Sequence, residues 1–463
     1  MLEDAVVRKV LGTALATGGE WAEIYAEDRL SHSIRLEDRR VEELVTGRDR
    51  GAGVRVVRGT STAYAYTNRL DQDSLLEAAR VAAAALREQP VAEVRDLRQR
   101  APAVHHPVAI DPARVERTTL AELVRRADDA ARAYDASVVQ VIASYSDTSQ
   151  RVLIVNSDGF STDENRVRTR FAVQVVAARD GVVQTGFEGP GRSSGFELLD
   201  QFPPEGVASR AAERAVAMLA SQPAPAGEMP VVVAAGNGGV LFHESSGHGM
   251  EADLIAKEAS VYQGKQGIRI GVPEFNGIDD ATVEGGWGSF VFDDEGTPAR
   301  RTVLFDGGVC TDYLTDLIRA RQLGQPASGN GRRQSYTNVP IPRMTNTYVL
   351  PGDDDPDEVI RQTRRGLYAK WLGGGQVNPV TGEFVFGVSE GYLIENGEVT
   401  TPVRGANLVG DGPSVIASID ALASDFDVKE GICGKEGQGV PVGNGAPTMR
   451  IARMTVGGTG GPA

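Results

Sequence analysis

Two histidines and a glutamate lie close together in the second half of the chain. His243 is followed directly by Glu244, and His248 comes five residues after His243 in the run HESSGH. Neutral imidazoles are ligands for zinc, and a carboxylate beside them can act as a general base in peptide hydrolysis. The pattern therefore predicts a metal-dependent hydrolase; the alternative is a pair of structural histidines beside a glycine turn.

The spacing of the two histidines constrains the backbone that carries them. In the usual zinc-protease motif the histidines are four residues apart and share one face of a helix. Here they are five apart, which places them roughly 140° apart around a regular α-helix. Both can point at one ion only if the helix contains a π-bulge or breaks near Gly247. We therefore expect irregular backbone between Leu241 and Asp253.

A catalytic zinc normally takes a third protein ligand and keeps one position open. The candidates for this third ligand are Glu251, Asp253 and Cys433. Cys433 lies in a glycine-rich segment, which suits a thiolate presented from a tight loop, and the nearby Lys435 would favour the thiolate form. The alternative is a buried structural cysteine, and the residues alone leave the choice open.

Further polar residues have both functional and structural interpretations. Arg332 and Arg333 lie in a glycine-rich loop and could bind a peptide carboxylate or an oxyanion, or form surface ion pairs with nearby acids. Cys310 follows a turn in a strand pattern and is expected in the core as a small apolar residue. The remaining histidines are expected to be ordinary strand or loop residues: His32, His105 and His106.

The first half of the chain supplies helices and strands that could form one domain. Capping boxes led by Ser74 and Thr119 predict helix starts, since Glu follows three residues after each. The turn dipeptides at 158–159 and 180–181 are both Asp-Gly, which is typical of hairpins. They predict an antiparallel sheet whose neighbouring strands include residues 138–144, 152–156 and 168–177.

A linker separates this half from the residues with chemical potential. Three prolines and a glycine within residues 221–230 favour irregular structure. We therefore predict an N-terminal α+β domain over residues 1–224 and a C-terminal domain over residues 225–463. In the second domain, Asp355 and the proline after it predict a helix start. The Asn396-Gly397 turn predicts antiparallel strands around it.

Composition excludes several classes of protein. The formal net charge of −15 disfavours nucleic-acid binding, because the phosphate backbone is also negative. No apolar run is long enough to span a membrane, and the first residues lack the basic start of a signal peptide. Two cysteines cannot make a disulfide framework. We expect a soluble, cytoplasmic protein.

Four segments of the second half together resemble the TldD/PmbA family. They are HESSGHGMEAD, GNGRRQSYTNVPIPRMTNTYVLPG, GGGQVNPVTGEFVF and CGKEGQGVPVGNGAPTMRI. The chain resembles the TldD-type members, which carry HExxxH, rather than the PmbA-type chains, which lack it. The resemblance implies that His243, His248 and Cys433 bind Zn²⁺ and that Glu244 is catalytic.

The resemblance also carries expectations about fold, substrate and partners. It implies two α+β domains, the second a strongly curved, barrel-like antiparallel sheet that carries the metal site. It implies a zinc-dependent peptidase acting on unfolded peptides or small flexible proteins, working as a homodimer or as a heterodimer with a PmbA-type paralogue. The competing interpretation is a non-catalytic protein that binds a peptide or partner, with a structural or empty metal site.

Overall fold

The computed structural model of the chain describes residues 1–86, 92–102 and 104–460. Helix makes up 23% and strand 44%, so the predicted α+β class is confirmed. The α-helices of the described residues are α1 (Asp4–Leu15), α2 (Gln72–Ala84), α3 (Arg117–Tyr134), α4 (Leu198–Gln201), α5 (Pro204–Ala217), α6 (Asn237–Phe242), α7 (Ala252–Ala256), α8 (Leu317–Leu323), α9 (Pro356–Arg361) and α10 (Gly412–Ser418). No helix in this part of the chain is both long enough and apolar enough to cross a membrane.

The strands fall into two groups along the chain. Those up to residue 192 are β1 (Trp21–Glu37), β2 (Arg40–Arg58), β3 (Ser61–Thr67), β4 (Arg98–Gln99), β5 (Val138–Asn156), β6 (Phe160–Arg179), β7 (Val182–Glu188) and β8 (Gly191–Arg192). Those after residue 221 are β9 (Gln222–Pro223), β10 (Gly227–Val233), β11 (Gly277–Asp280), β12 (Arg301–Asp306), β13 (Val309–Cys310), β14 (Gly331–Arg332), β15 (Ile341–Pro342), β16 (Asn346–Val349), β17 (Arg365–Val377), β18 (Glu383–Glu395), β19 (Glu398–Arg404), β20 (Ala406–Asp411), β21 (Ile419–Leu422), β22 (Asp427–Lys435), β23 (Gln438–Ala446) and β24 (Met449–Gly457).

The first sheet is built from long antiparallel hairpins. Its order is β3-β2-β1-β5-β6-β4, and β7 and β8 also pair with β6. One face is apolar and packs against helices. The side chains that α1 buries follow the helical period, beginning at Val7, Val10 and Leu11. In the same way, α3 and α5 cover the part of the sheet near Phe171 and Val173.

The other face of the first sheet is polar yet buried. Along β1, side chains alternate between faces, so Ala22 and Ile24 enter the apolar core while Glu23 and Glu27 point the opposite way. Glu23 and Glu27 are both 0% exposed. They are covered by residues from the second half of the chain, because Arg333 bonds to Glu23 and the Tyr336 backbone N–H donates to Glu27 at 2.9 Å.

This polar face explains where the predicted strand boundaries were wrong. Residues 138–144 and 152–156 were expected to be neighbouring strands, but they are the two ends of the single strand β5. The segment between them is rich in Ser, Asp, Thr and Gln, which resembles a loop. It is nevertheless paired with β1 on one side and β6 on the other. The hairpins predicted at the two Asp-Gly turns are confirmed by the pairings β5–β6 and β6–β7.

Two of the predicted helix starts were also wrong by a few residues. Asp71, not Ser74, caps α2, and its carboxylate accepts from the Ser74 backbone N–H at 3.0 Å. The helix near Thr119 already begins at Arg117. Both true starts lie about one turn earlier than the capping boxes suggested. The start predicted at Asp355 is confirmed, because its side chain caps α9.

Strands of the second half close into a barrel. In the described residues, β17, β10, β24, β20 and β18 pair in that order, and β17 also pairs with β18 to complete the ring. The curved, barrel-like sheet implied by the resemblance is therefore confirmed. The hairpin predicted at Asn396-Gly397 joins β18 to β19. The short strand β9 pairs with β19 although it lies before residue 225, and the division at residues 224 and 225 stays a prediction.

A second sheet of this half holds the segment that contains Cys433. Its order is β13-β12-β11-β16-β23-β22, and β22 is its last strand. The pairing of β16 with β23 is parallel, whereas β22 and β23 form an antiparallel hairpin. Helix α6 packs against β23. This packing brings the residues after α6 beside the hairpin.

Candidate metal centre

The backbone between the two histidines is a π-turn. Helix α6 ends at Phe242, residues His243–Gly247 form the π-turn, and residues His248–Met250 form a short 3₁₀ segment. The His248 backbone N–H donates to the His243 carbonyl, which is an i to i+5 hydrogen bond. Such a turn returns residues five apart to the same face. The predicted departure from regular α-helix is confirmed.

Glycines allow this segment to pack closely against its surroundings. A Cβ atom at Gly239 would overlap the backbone of Asn444 and Gly445 on β23. One at Gly247 would overlap the Met344 side chain. Because both positions lack a side chain, α6 can sit directly on β23 and the π-turn can pack closely against Met344. This close packing sets the distance from the histidines to the β22–β23 hairpin.

Three side chains from two distant segments converge here. The Sγ atom of Cys433 lies 3.3 Å from Nε2 of His243 and 3.3 Å from Nε2 of His248. The two imidazole rings are 5.1 Å apart between centroids and nearly perpendicular. All three residues are buried, and their ligand atoms lie within 4.8 Å of one another. Such a group could hold a metal ion.

The electrostatics of the group favour a thiolate. Burial disfavours the charged form of Cys433, but His243 and the hydrogen bonds from both imidazoles outweigh burial and lower the pKa to about 4. Burial likewise disfavours protonated His248, yet Glu251 and Cys433 raise its pKa well above the ordinary value. A low thiol pKa is typical of cysteines that bind metals or react as nucleophiles.

Glu251 supports His248 from behind. Its carboxylate lies 3.0 Å from Nδ1 of His248, and this contact leaves Nε2 directed toward Cys433. Burial would raise the pKa of Glu251, but Lys435 and His248 lower it to about 2. The Lys435 ammonium is 3.0 Å from Glu251 and 2.6 Å from Asp253. Of the three candidates for a third ligand, only Cys433 therefore faces both histidines.

Glu244 lies at the rim of the group. Its Oε2 atom is 3.7 Å from Nε2 of His248. Its side chain is 23% exposed, whereas that of His248 is 10% exposed. Glu244 is thus the more solvent-accessible of the two. Glu244 contacts His248, and its carboxylate stays partly exposed to solvent.

The environment of Arg333 differs from both interpretations drawn from the sequence, which were a carboxylate or oxyanion site and a surface ion pair. Arg333 is buried and bonds to Glu23 and to the Asp294 carbonyl, so it forms neither a surface ion pair nor a free carboxylate site. Arg332 is also buried and donates to the carbonyls of Met344 and Pro441. Both side chains are held by contacts distant in sequence. No local pattern in the glycine-rich loop could have revealed them.

The other residues singled out from the sequence occupy ordinary positions. Cys310 is fully buried in the core of the second half, as expected. His32 lies on β1 and is 2.8 Å from the Asp147 carboxylate, which confirms it as a strand residue. His105 and His106 lie outside helices and strands, as expected. The sequence interpretation missed the role of Glu251 in orienting His248, although its position three residues after that histidine was a usable signal.

Comparisons with known proteins identify the family. Residues 226–458 match the model of the PmbA/TldA metallopeptidase C-terminal domain. Residues 110–219 match the central domain of the same group, and residues 22–86 match its domain 1. The chain belongs to the PmbA/TldD metallopeptidase family. The resemblance drawn from the four sequence segments is therefore confirmed.

Relatives with curated names extend over almost the whole chain. A protein of Haemophilus influenzae named metalloprotease TldD homolog is 39% identical over 455 residues, covering 95% of this chain and 93% of that protein. A protein of Methanothermobacter thermautotrophicus named metalloprotease is 35% identical, covering 95% of this chain and 96% of its own length. This family member is a metal-dependent peptidase.

Solved structures share the fold. A Thermotoga maritima crystal structure, whose description names a modulator of a DNA gyrase, aligns with a TM-score of 0.79 at 21% identity. The alignment covers 94% of this chain and 96% of the Thermotoga maritima chain. The structure of TldE from Thermococcus kodakarensis aligns with a TM-score of 0.77 at 17% identity, covering 98% and 99%. At these identities the likeness establishes the architecture alone.

Proposed function

We propose that this PmbA/TldD family member is a zinc peptidase in which His243, His248 and Cys433 hold the metal and Glu244 is the general base. The observation that carries the proposal is the convergence of one thiol and two imidazoles from segments 185 and 190 residues apart.

The donor atoms suit zinc in type and separation. In a tetrahedral zinc site, a thiolate sulfur and an imidazole nitrogen lie roughly 3.5 Å apart, from the usual bond lengths. The two separations of 3.3 Å are close to this value. A thiolate with two imidazoles is a donor set that zinc favours. Three protein ligands, rather than four, are typical of catalytic zinc sites because one position stays open.

Each protein residue near the metal would then have a separate role. Zinc, when bound, supplies Lewis acidity that polarises a carbonyl and acidifies water. Glu244 has the exposure and the reach to take a proton from the attacking water and deliver it to the leaving amine. Glu251 fixes the ring orientation of His248 through Nδ1. Lys435 balances the charge of Glu251.

The substrate best suited to this site is an extended, unfolded peptide. Strand β22 carries Cys433 and is the last strand of its sheet in the described residues, so one edge can pair with an added strand. A Cβ atom at Gly434 would meet nothing within 4 Å, which indicates open space beside Cys433. A folded protein has already used its backbone hydrogen-bonding groups and could not pair in this way.

We also propose that the working form is a dimer, with a second copy or with a PmbA-type paralogue. The support is membership of the PmbA/TldD family, together with a fold shared with a chain named TldE. Light scattering on the purified chain, alone and mixed with a PmbA-type chain, tests this proposal. A monomer under both conditions contradicts it.

Metal content and hydrolysis, measured on the same preparation, test the zinc assignment. We expect about one zinc per chain by elemental analysis and cleavage of casein or an unstructured peptide. A chelator should abolish the cleavage, and zinc should restore it. Full activity in metal-free protein would refute the proposal.

The two cysteines provide a matched pair for the ligand assignment. Cys433→Ala should lower the zinc content and remove activity, because it deletes one of three ligands. Cys310→Ala removes the other buried thiol, which is not part of the His243, His248 and Cys433 group, and should keep zinc. Normal zinc content in the Cys433 variant would show that another residue is the third ligand.

A single substrate in two states tests the preference for extended chains. One small protein is compared with a destabilised variant of itself that differs by one core substitution. We expect rapid cleavage of the destabilised form and little cleavage of the folded form under identical conditions. Equal rates would contradict strand addition while leaving the zinc chemistry intact.

A further inference from the structure

A cavity lies between the first sheet and the second half of the chain, beside the β22–β23 hairpin. Its volume is about 350 Å³. The charged residues of its lining are very unequal in sign, since Asp294 is accompanied by five arginines. These arginines are Arg29, Arg166, Arg168, Arg332 and Arg333. Such an excess of positive charge is unexpected in a chain whose net charge is −15.

The strand register accounts for the positive floor of this cavity. Arg166 and Arg168 are two residues apart on β6, so their side chains share a face. Gln150 on β5 lies opposite Arg166 and also opposite Arg29 on β1. Thr148 lies opposite Arg168. One polar row of the first sheet therefore presents guanidinium, amide and hydroxyl groups to the cavity.

Some of these arginines are already neutralised by the protein. Arg333 bonds to Glu23. Arg166 bonds to Asp294 at 2.6 Å and to Glu164 at 3.1 Å. These carboxylates are buried or nearly so, and they are committed to those contacts. These carboxylates therefore balance the charges of Arg166 and Arg333, which are two of the five arginines.

Arg168 and Arg332 have a different set of partners. Arg168 donates to the carbonyls of Trp287 and Ser289, both at 3.0 Å. Arg332 donates to the carbonyls of Met344 and Pro441. Within residues 1–86, 92–102 and 104–460, neither guanidinium makes an ion pair with a carboxylate. These hydrogen-bond acceptors are neutral backbone carbonyls.

The balance of charge affects the protonation equilibria of both residues. Burial, and then repulsion from Arg166 and Arg332, lowers the pKa of Arg168 to about 9. Burial lowers the pKa of Arg332 to about 10, although Asp294 partly opposes this effect. Each charge is therefore costly where it stands. A bound anion would relieve that cost.

The cavity shares a wall with the metal centre. Ile432 lines it and directly precedes Cys433 in the chain. Val440 also lines it and is the cross-strand partner of Cys433. The β22–β23 hairpin therefore borders both the cavity and the three converging side chains.

We propose that this arginine cavity is a subsite for a carboxylate of the peptide substrate, either its C-terminus or an acidic side chain near the cleaved bond. Planar guanidinium groups match carboxylates in shape and charge. The proposal rests on the peptidase function proposed above. It adds a preference that the metal centre alone would not give, because metal chemistry and strand pairing act on the backbone.

The test compares peptides that differ only in one charge. One pair has a free or an amidated C-terminus, and a second pair has Glu or Gln near the cleaved bond. With the zinc-loaded full chain, we expect kcat/KM to be at least about tenfold higher for the acidic member of one pair. The pair that shows the effect identifies the source of the carboxylate. Equal values in both pairs would overturn the proposal.

Variants connect the preference to the cavity. Arg168→Gln should reduce the acid-to-neutral ratio toward one, because it removes a charge that forms no ion pair with a carboxylate in the described part of the chain. Arg29→Gln, at a half-buried position, should reduce the ratio as well and serves if the first variant does not fold. Arg179→Gln is the matched control, since Arg179 lies on β6, is exposed and pairs with Asp135. A ratio unchanged in both cavity variants would also overturn the proposal.

Binding measurements separate this proposal from the peptidase proposal. Calorimetry uses the Glu244→Gln chain with each peptide and with inorganic phosphate. Tighter binding of the acidic peptide, lost in Arg168→Gln, supports the subsite even if no peptide is hydrolysed. Zinc-dependent hydrolysis without any acidic preference in rate or binding removes the subsite and leaves the peptidase. Phosphate binding without peptide discrimination contradicts a substrate subsite, because the cavity would then hold a free anion.

Discussion

The metal centre and the interface between the two halves of the chain both bury charged groups, but they balance them differently. At the interface, Arg55 bonds to Glu295 and Arg333 bonds to Glu23. All four of these side chains are at most 1% exposed. At the metal centre, a thiol meets two imidazoles, and Glu244 stays partly exposed.

This difference separates charge that holds the protein together from charge that is available for chemistry. Burial raises the pKa of Glu23 even though Arg333 and Arg55 oppose it, which shows how much hydration the interface gives up. Removing one partner of such a buried pair is costly, because it leaves the other charge unpaired away from water. At the metal centre one thiol and two imidazoles face one another, and that arrangement suits a bound metal ion.

The largest effect is expected at the metal centre without any loss of fold. Glu244→Gln keeps the size of the side chain and removes the carboxylate that we propose as the base. We expect kcat to fall by about 10²–10⁴ while zinc content and melting temperature stay unchanged. Steady-state kinetics measure kcat, and elemental analysis measures the zinc content. A variant with wild-type kcat would show that Glu244 is not the base.

At the interface we expect a loss of stability rather than a loss of metal or catalysis. Arg333→Ala leaves Glu23 buried without its nearest cation, and such a loss typically costs about 3–5 kcal/mol of unfolding free energy. Denaturant unfolding measures it, and zinc content of the folded fraction should be unchanged. Arg333→Lys keeps the charge and should be less destabilising. If both variants unfold like wild type, the interface pairs do not determine the stability of the assembled halves.

A smaller effect is expected from Glu251, which contacts Nδ1 of the proposed ligand His248. Glu251→Gln keeps a polar group next to His248 but removes the negative charge that orients and polarises the ring. Loss of such a contact usually weakens metal binding by about 10–100-fold. Competition with a zinc chelator measures the affinity. An unchanged affinity would place Glu251 with the structural charges of the interface instead.

The smallest effect is expected from an ion pair in neither region. Arg151 and Asp163 contact each other at 2.6 Å on the outside of the first sheet, where Arg151 is 54% exposed. Exposed pairs contribute at most about 1 kcal/mol. Arg151→Ala should therefore change neither the unfolding midpoint appreciably nor the activity. A large destabilisation here would weaken the contrast between exposed pairs and the buried interface.

Local signals in the sequence predicted much of this structure where the cause was local. The five-residue spacing of His243 and His248 correctly predicted an irregular helix, because helical geometry admits few ways to align such a pair. The Asp-Gly and Asn-Gly turns correctly predicted hairpins. The strand β5 was divided in error, because its polar centre is buried only once the second half covers it.

The arginines show where local reasoning failed. Arg332 and Arg333 are adjacent, but Arg333 reaches a glutamate 310 positions away whereas Arg332 bonds to backbone carbonyls. Nothing in the residues around them distinguishes these two environments. The difference depends on the register of β1 and on which face of the first sheet meets the second half.

The sequence by itself determined the chemistry that this protein could perform and the backbone irregularity that the chemistry required. Residue types fix ligand and proton-transfer capacity, and short-range geometry fixes how neighbours in the chain can point. Only the tertiary structure decided which distant groups meet, namely Cys433 with both histidines, and Arg168 with Arg332 beside the same hairpin. Contacts across hundreds of residues depend on the packing of whole sheets, and no local pattern encodes that packing.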